Sequence, residues 1–152
     1  VIEYLGTVSL PPEAVEYADK IKFENYRTNT PAKFQVRCLM GCEHLMKDLS
    51  ALVNIDRKYL DFVYFSCCKG AEPHTDKLNP AKFEDITYVV PIIVPKGRSV
   101  VVADTHEMEV SLGGVYRFNH TKTHALYLDD TESGCVVIMV GILKPDWIKE
   151  QP

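Results

Sequence analysis

A mainly β fold is predicted: a double-stranded β-helix (a jelly roll) with N-terminal helices packed on one face. Three observations carry this. Between residues 57 and 145 the chain is a series of short apolar or alternating runs, about eight of them, broken at regular intervals by turn residues. Helical spacing of apolar residues is confined to the part before residue 56. The length, 152 residues with 46% hydrophobic and 25% charged, suits one domain around one well-formed core. The expected organisation is therefore a single domain, 1–152, with helical support over 1–56 and the jelly-roll core over 57–145.

In chain order, residues 1–10 read as a short strand ended by Pro11-Pro12. Residues 12–21 read as a helix, with proline in the first turn and Glu13 near the N-terminus, where the helix dipole favours an acid. Residues 24–33, rich in Asn, Thr and Pro, read as a loop, and 34–39 as a strand. Residues 43–53 place Leu45, Met46, Leu49, Leu52 and Val53 on one helical face. The strands that follow are expected at 60–66, around 74–76, and at 86–94, 99–103, 108–112, 115–118, 125–128 and 135–143. Turns are expected at 69–73, 77–82, 95–97, Gly113-Gly114 and Ser133-Gly134. The 86–94 run carries few charges, so both its faces are expected to be covered.

Composition excludes little but is consistent. A net charge of −4 offers no general attraction to nucleic acid or anionic membranes. No apolar run approaches the roughly 20 residues that span a bilayer, and Val1-Ile2-Glu3-Tyr4 does not open a signal peptide. Five cysteines, an odd number in a chain with a proper core, point to thiols in a reducing, cytoplasmic compartment rather than to a disulfide scaffold. Cys67-Cys68 lacks the spacing of a zinc site.

The pattern that carries chemistry is His74-Thr75-Asp76 with His124 further on. In a strand, residues two apart point to the same side, so His74 and Asp76 can aim at one ion. A third ligand must come from another strand, and His124 opens one. Two histidines and a carboxylate on one face of an octahedral metal leave the opposite positions open, the geometry of non-haem Fe(II) oxygenases. His120 competes for the third place. His124 is preferred because it leads into the alternating Leu126 and Leu128, whereas His120 stands at a strand end. His106 falls in a hairpin turn, and His44 on the polar face of a helix.

From about Tyr59 to Pro145 these residues resemble the 2-oxoglutarate-dependent Fe(II) oxygenases, closest to the aspartyl/asparaginyl β-hydroxylase and prolyl hydroxylase branches. The resemblance lies in His74, then Ile93-Val94-Pro95 and Gly97, the run from Glu109 through Phe118-Asn119, His124 six residues after that Phe, and an apolar strand closing at Pro145. Tyr64, ten residues before His74, matches a tyrosine common in the prolyl hydroxylases. The resemblance implies Fe(II) on His74, Asp76 and His124, 2-oxoglutarate and O2 as co-substrates, and hydroxylation of a C–H bond of a free or peptidyl amino-acid side chain. The carboxylate at Asp76 speaks against halogenation, for which the family leaves that position open.

One departure matters. The family usually places an arginine about ten residues after the distal histidine, to pair with the far carboxylate of 2-oxoglutarate; Gly134 and Cys135 stand there. A buried carboxylate needs a cation. Arg98 and Arg117 are the candidate replacements, with Tyr64 and Thr87 as candidate hydroxyl donors. Two other readings stay open: a cupin-type metalloprotein that does not use 2-oxoglutarate, and a jelly-roll binding module without catalysis.

Overall fold

The computed structural model describes residues 1–27, 33–36, 41–130 and 132–150, with the backbone alone for 24–27, 33–36 and 62. Two antiparallel sheets face each other. The larger is built from β1 (Glu3–Thr7), β2 (Lys33–Val36), β3 (Leu60–Cys68), β5 (Phe83–Ile93), β8 (Gly114–Asn119) and β10 (Cys135–Leu143), in the order β1-β8-β5-β10-β3-β2. The smaller holds β4 (Ala71–His74), β6 (Ser99–Ala103), β7 (His106–Glu109) and β9 (His124–Leu128), in the order β4-β9-β6-β7. The eight strands from β3 to β10 pass back and forth between the sheets, apart from the β6–β7 hairpin within the smaller one, as a jelly roll requires. β1 and β2 extend the larger sheet at its two edges. The mainly β jelly roll with helices on one outer face is therefore what the chain forms.

Period-two alternation divides the larger sheet cleanly. Phe65 and Cys67 of β3, Tyr88, Val90 and Ile92 of β5, Val115 of β8 and Val136, Ile138 and Val140 of β10 are buried in one cluster with the helices. That cluster takes Ala14, Ala18 and Ile21 from α1 (Pro12–Arg27) and Leu45, Met46 and Leu49 from α2 (Glu43–Val53). Residues of opposite parity face the smaller sheet. The 86–94 run is thus covered on both faces, as its lack of charge requires.

Several boundaries differ from expectation. α1 continues to Arg27, so residues 24–27, read as loop, are helix; 28–32 lie outside the described residues. The strand expected at 34–39 is seen as Lys33–Val36, with 37–40 outside the described residues. The turn expected at 69–73 is in part β4, which tolerates Pro73 because it lies at a sheet edge. Pro91 sits in a central strand, yet β8 pairs with β5 only from Ile86 to Val89, so its missing N–H is not called on there. α2 ends at Asn54, left-handed at φ 56°, whose N–H caps the Ser50 carbonyl. A short α3 (Pro145–Lys149) closes the described chain. Among the described residues no helix is long and apolar enough to cross a membrane.

Cys42, Cys67, Cys68 and Cys135 are buried thiols, and Cys38 lies outside the described residues. Cys68 and Cys135 face each other across β3 and β10 with their sulfurs 3.7 Å apart. The hydrogen bond to Cys68 and then burial push the Cys135 thiol far above its ordinary 9.0. Burial also raises Tyr88, against a hydrogen bond from Arg117. A pKa raised on folding gives stability that is whole below the unfolded value and lost above it, as the unfolded chain ionises while the native chain cannot. The urea midpoint is accordingly expected to hold to about pH 8 and to fall between pH 9 and 10.5. Cys135 alone accounts for about 2 kcal/mol of that loss at the upper end.

Candidate metal centre

The triad is assembled at the open edge of the smaller sheet. β4 pairs antiparallel with β9 so that His74 stands directly across from His124, their rings 4.5 Å apart. Phe118, reaching in from β8, packs on the other side of the His124 ring at 4.8 Å. Asp76 is not the strand neighbour that its spacing suggested. β4 stops at His74, and Asp76 lies beyond it, where its backbone N–H donates to the His120 carbonyl at 3.0 Å. The turn after β8 therefore supplies the anchor that a continuing strand would have given.

The side chains converge. Asp76 Oδ1 lies 3.4 Å from His74 Nε2, and Asp76 Oδ2 lies 3.2 Å from His124 Nε2. One ligand atom from each residue lies within 4.8 Å of the others. Each imidazole is held by its other nitrogen: Nδ1 of His74 donates to the Glu72 carbonyl at 2.6 Å, and Nδ1 of His124 to the Lys122 carbonyl at 2.8 Å. A carbonyl only accepts, so Nδ1 carries a proton, and in the neutral imidazole the Nε2 lone pair is turned toward Asp76. In the neutral tautomers two lone pairs and a carboxylate then meet with no proton between them. That arrangement is repulsive alone and becomes favourable around a cation, and backbone-fixed tautomers are how metal-binding histidines are oriented. Ligands about 2.1 Å from a metal and at right angles are about 3 Å apart, close to the separations found. The donor set fits a divalent metal. Asp76 and His124 are buried, whereas the His74 side chain is 31% exposed, so the centre opens to solvent on that side.

His120 is placed elsewhere. It is buried, and its Nε2 donates to the Glu84 carbonyl at 2.9 Å, which commits it to tying β5 to the turn after β8. His106 is exposed at the start of β7, just past the turn.

Between the sheets, behind the triad, lies a chamber of about 100 Å³. Alternation supplies its wall: Tyr64, Ser66 and Cys68 from β3, Val89 and Pro91 from β5, Tyr116 and Phe118 from β8, and Val137 and Met139 from β10. Val101, Leu126 and Ala71 close it from the smaller sheet. Among the described residues no lysine or arginine lines it.

The candidates for gripping 2-oxoglutarate divide accordingly. Tyr64 lines the chamber. Thr87 is fully buried opposite Phe118 and Gly141 and does not reach the chamber wall. Arg117 has the parity of Val115, so it pairs across with Tyr88 on the helix-side face and binds Glu3 at 2.8 Å. Arg98 is exposed before β6, 3.7 Å from Glu109, with its backbone N–H on Asp129. Each arginine already has an acidic partner outside the chamber. The residues that sequence reasoning missed are the lining positions, above all Phe118, Val137 and Cys68. Their signal was parity: each shares its strand face with another lining residue two positions away.

No protein-family model and no curated protein matches the sequence. Solved structures do match. A prolyl-4-hydroxylase from Pseudomonas putida aligns at a TM-score of 0.54 and 12% identity, covering 94% of this chain and 92% of its own. AviO1 from Streptomyces viridochromogenes aligns at 0.55 and 13% identity, covering 95% and 90%. At such identities the likeness speaks of fold alone: this chain is a jelly roll, folded like those two proteins, that carries a His-Asp-His centre suited to a metal.

Proposed function

We propose that the chain is a mononuclear Fe(II)-dependent oxygenase that hydroxylates a C–H bond, with 2-oxoglutarate as the co-substrate that the sequence resemblance implies. The observation that carries the reading is the convergence of His74, Asp76 and His124, with both imidazoles locked by backbone carbonyls, at the mouth of an apolar chamber. Fe(II), when bound, supplies activation of O2. The chain's own residues do the rest. His74, Asp76 and His124 would hold the ion where they border the chamber. Phe118 keeps the His124 ring from turning. The apolar wall excludes water and presents aliphatic rather than charged groups to the reacting centre. The substrate proposed is a free or peptidyl amino-acid side chain in a reducing compartment.

A second reading is favoured by the wall itself. With no lysine or arginine along the chamber among the described residues, the same centre also suits an oxygenase of cupin type that works without 2-oxoglutarate. Anaerobic titration separates the two. One Fe(II) per chain is expected, lost in His74→Ala. A visible charge-transfer band on adding 2-oxoglutarate supports the first reading. Iron bound without the band moves the assignment to the second, and no iron binding overturns both.

A further inference from the structure

We propose that the chamber is a binding site for a neutral, apolar group of about four or five carbon atoms, which sides with the second reading above, a centre that works without 2-oxoglutarate. Calling it the substrate's reacting part rests on the metal reading above; the chemistry of the chamber does not. The volume, about 100 Å³, is smaller than the roughly 150 Å³ of a cavity known to hold benzene. A branched aliphatic group fills it.

The wall decides the charge. Apart from the triad at its mouth, none of the described residues that line it carries a formal charge at neutral pH. Where the related oxygenases put an arginine, the chain has Gly134 and Cys135, and Cys135 lies against the lining Cys68 in a small apolar cluster with Leu128. The two arginines that might have substituted are engaged by Glu109 and Glu3 outside. A carboxylate driven into this space meets thiols and aliphatic carbons and loses its hydration without gaining a cation. An aliphatic group loses nothing and removes apolar surface from water. The shape agrees: Val89, Val101, Leu126 and Val137 surround the space with branched side chains, while Tyr64 and Ser66 offer neutral hydroxyl-bearing neighbours on one wall.

The experiment uses the full chain without added metal, with methyl groups of valine, leucine and alanine isotopically labelled, titrated separately with 3-methylbutan-1-ol, 3-methylbutanoate and glutarate. The alcohol is expected to shift the Val89, Val101 and Val137 methyls saturably, with a Kd at least tenfold lower than that of the equal-sized carboxylate. Glutarate is expected to leave them unmoved. Val137→Phe, which fills the chamber, should abolish the shifts yet keep one Fe(II) site per chain. If that variant does not fold, Ala71→Leu on the edge strand β4 makes the same test. Either carboxylate binding these methyls as tightly as the alcohol would overturn the proposal, as would the absence of a saturable shift with the alcohol. Failure of the metal reading appears separately, in the Fe(II) titration, and leaves the methyl spectra untouched.

Discussion

Asp76→Asn is expected to weaken Fe(II) binding by more than a hundredfold while leaving the metal-free protein as stable as the wild type or more so. The two halves follow from one geometry. The carboxylate is the only anion in the triad, and without it two neutral imidazoles must hold a dication; even losing a group that merely orients a ligand costs 10- to 100-fold. In the metal-free protein, however, the Asp76 oxygens face imidazole Nε2 atoms at 3.2 and 3.4 Å whose protons are committed to the other side of each ring. An amide at that place donates to one of those lone pairs and relieves the repulsion. Calorimetric Fe(II) titration and thermal unfolding of the same two proteins check both. A sharp drop in the Tm of the metal-free variant would instead make Asp76 the partner of a protonated histidine, a structural ion pair rather than a ligand. Asp76→Ala removes the anion too but offers no donor, so the Tm gain should belong to Asn.

Phe65→Ala should cost about 3–5 kcal/mol of folding stability, the largest single loss expected from the core. Phe65 is fully buried on β3, in the layer between the larger sheet and the helices, with the Tyr17 ring of α1 edge-on at 5.2 Å. β3 is paired on both edges, with β10 and β2, and the helices cover the Phe65 face, so the cavity left by the ring has little freedom to collapse. Chemical denaturation measures it. A loss below about 1 kcal/mol would mean that α1 can settle onto the sheet, and that the helical layer is looser than its packing suggests. Since Phe65 and Tyr64 point to opposite faces, the metal centre should survive the substitution wherever the fold does.

Much of this was legible from residues alone. α2 was read to its ends because apolar residues recur there at helical spacing. β6 and β10 were read to the residue because glycine, proline or polar turns bound short β-branched runs. His74, Asp76 and His124 stood out because that spacing, common by chance, sits here among short strands with regular turns. The extension of α1 to Arg27 was not legible, since Asn25 weakens a helix locally and packing of Ala18 and Ile21 on the sheet outweighs it.

Arg117 shows where local reading ran out. It was a candidate because it lies on the strand that leads to His124. In a strand one position is a change of face, and Phe118 enters the chamber while Arg117 goes to Glu3. Which face is inside depends on what lies across the sheet, and no window of a few residues contains that. The same holds for Asp76, held by a carbonyl 44 residues away at His120 rather than by a strand of its own. Sequence by itself determined the jelly roll, the helices and the three candidate ligands, because periodicity and side-chain chemistry are local properties. Only the tertiary structure decided that the ligands meet and that, among the described residues, no lysine or arginine lines the space behind them, because convergence and the walls of a cavity belong to strands brought together from opposite ends of the chain.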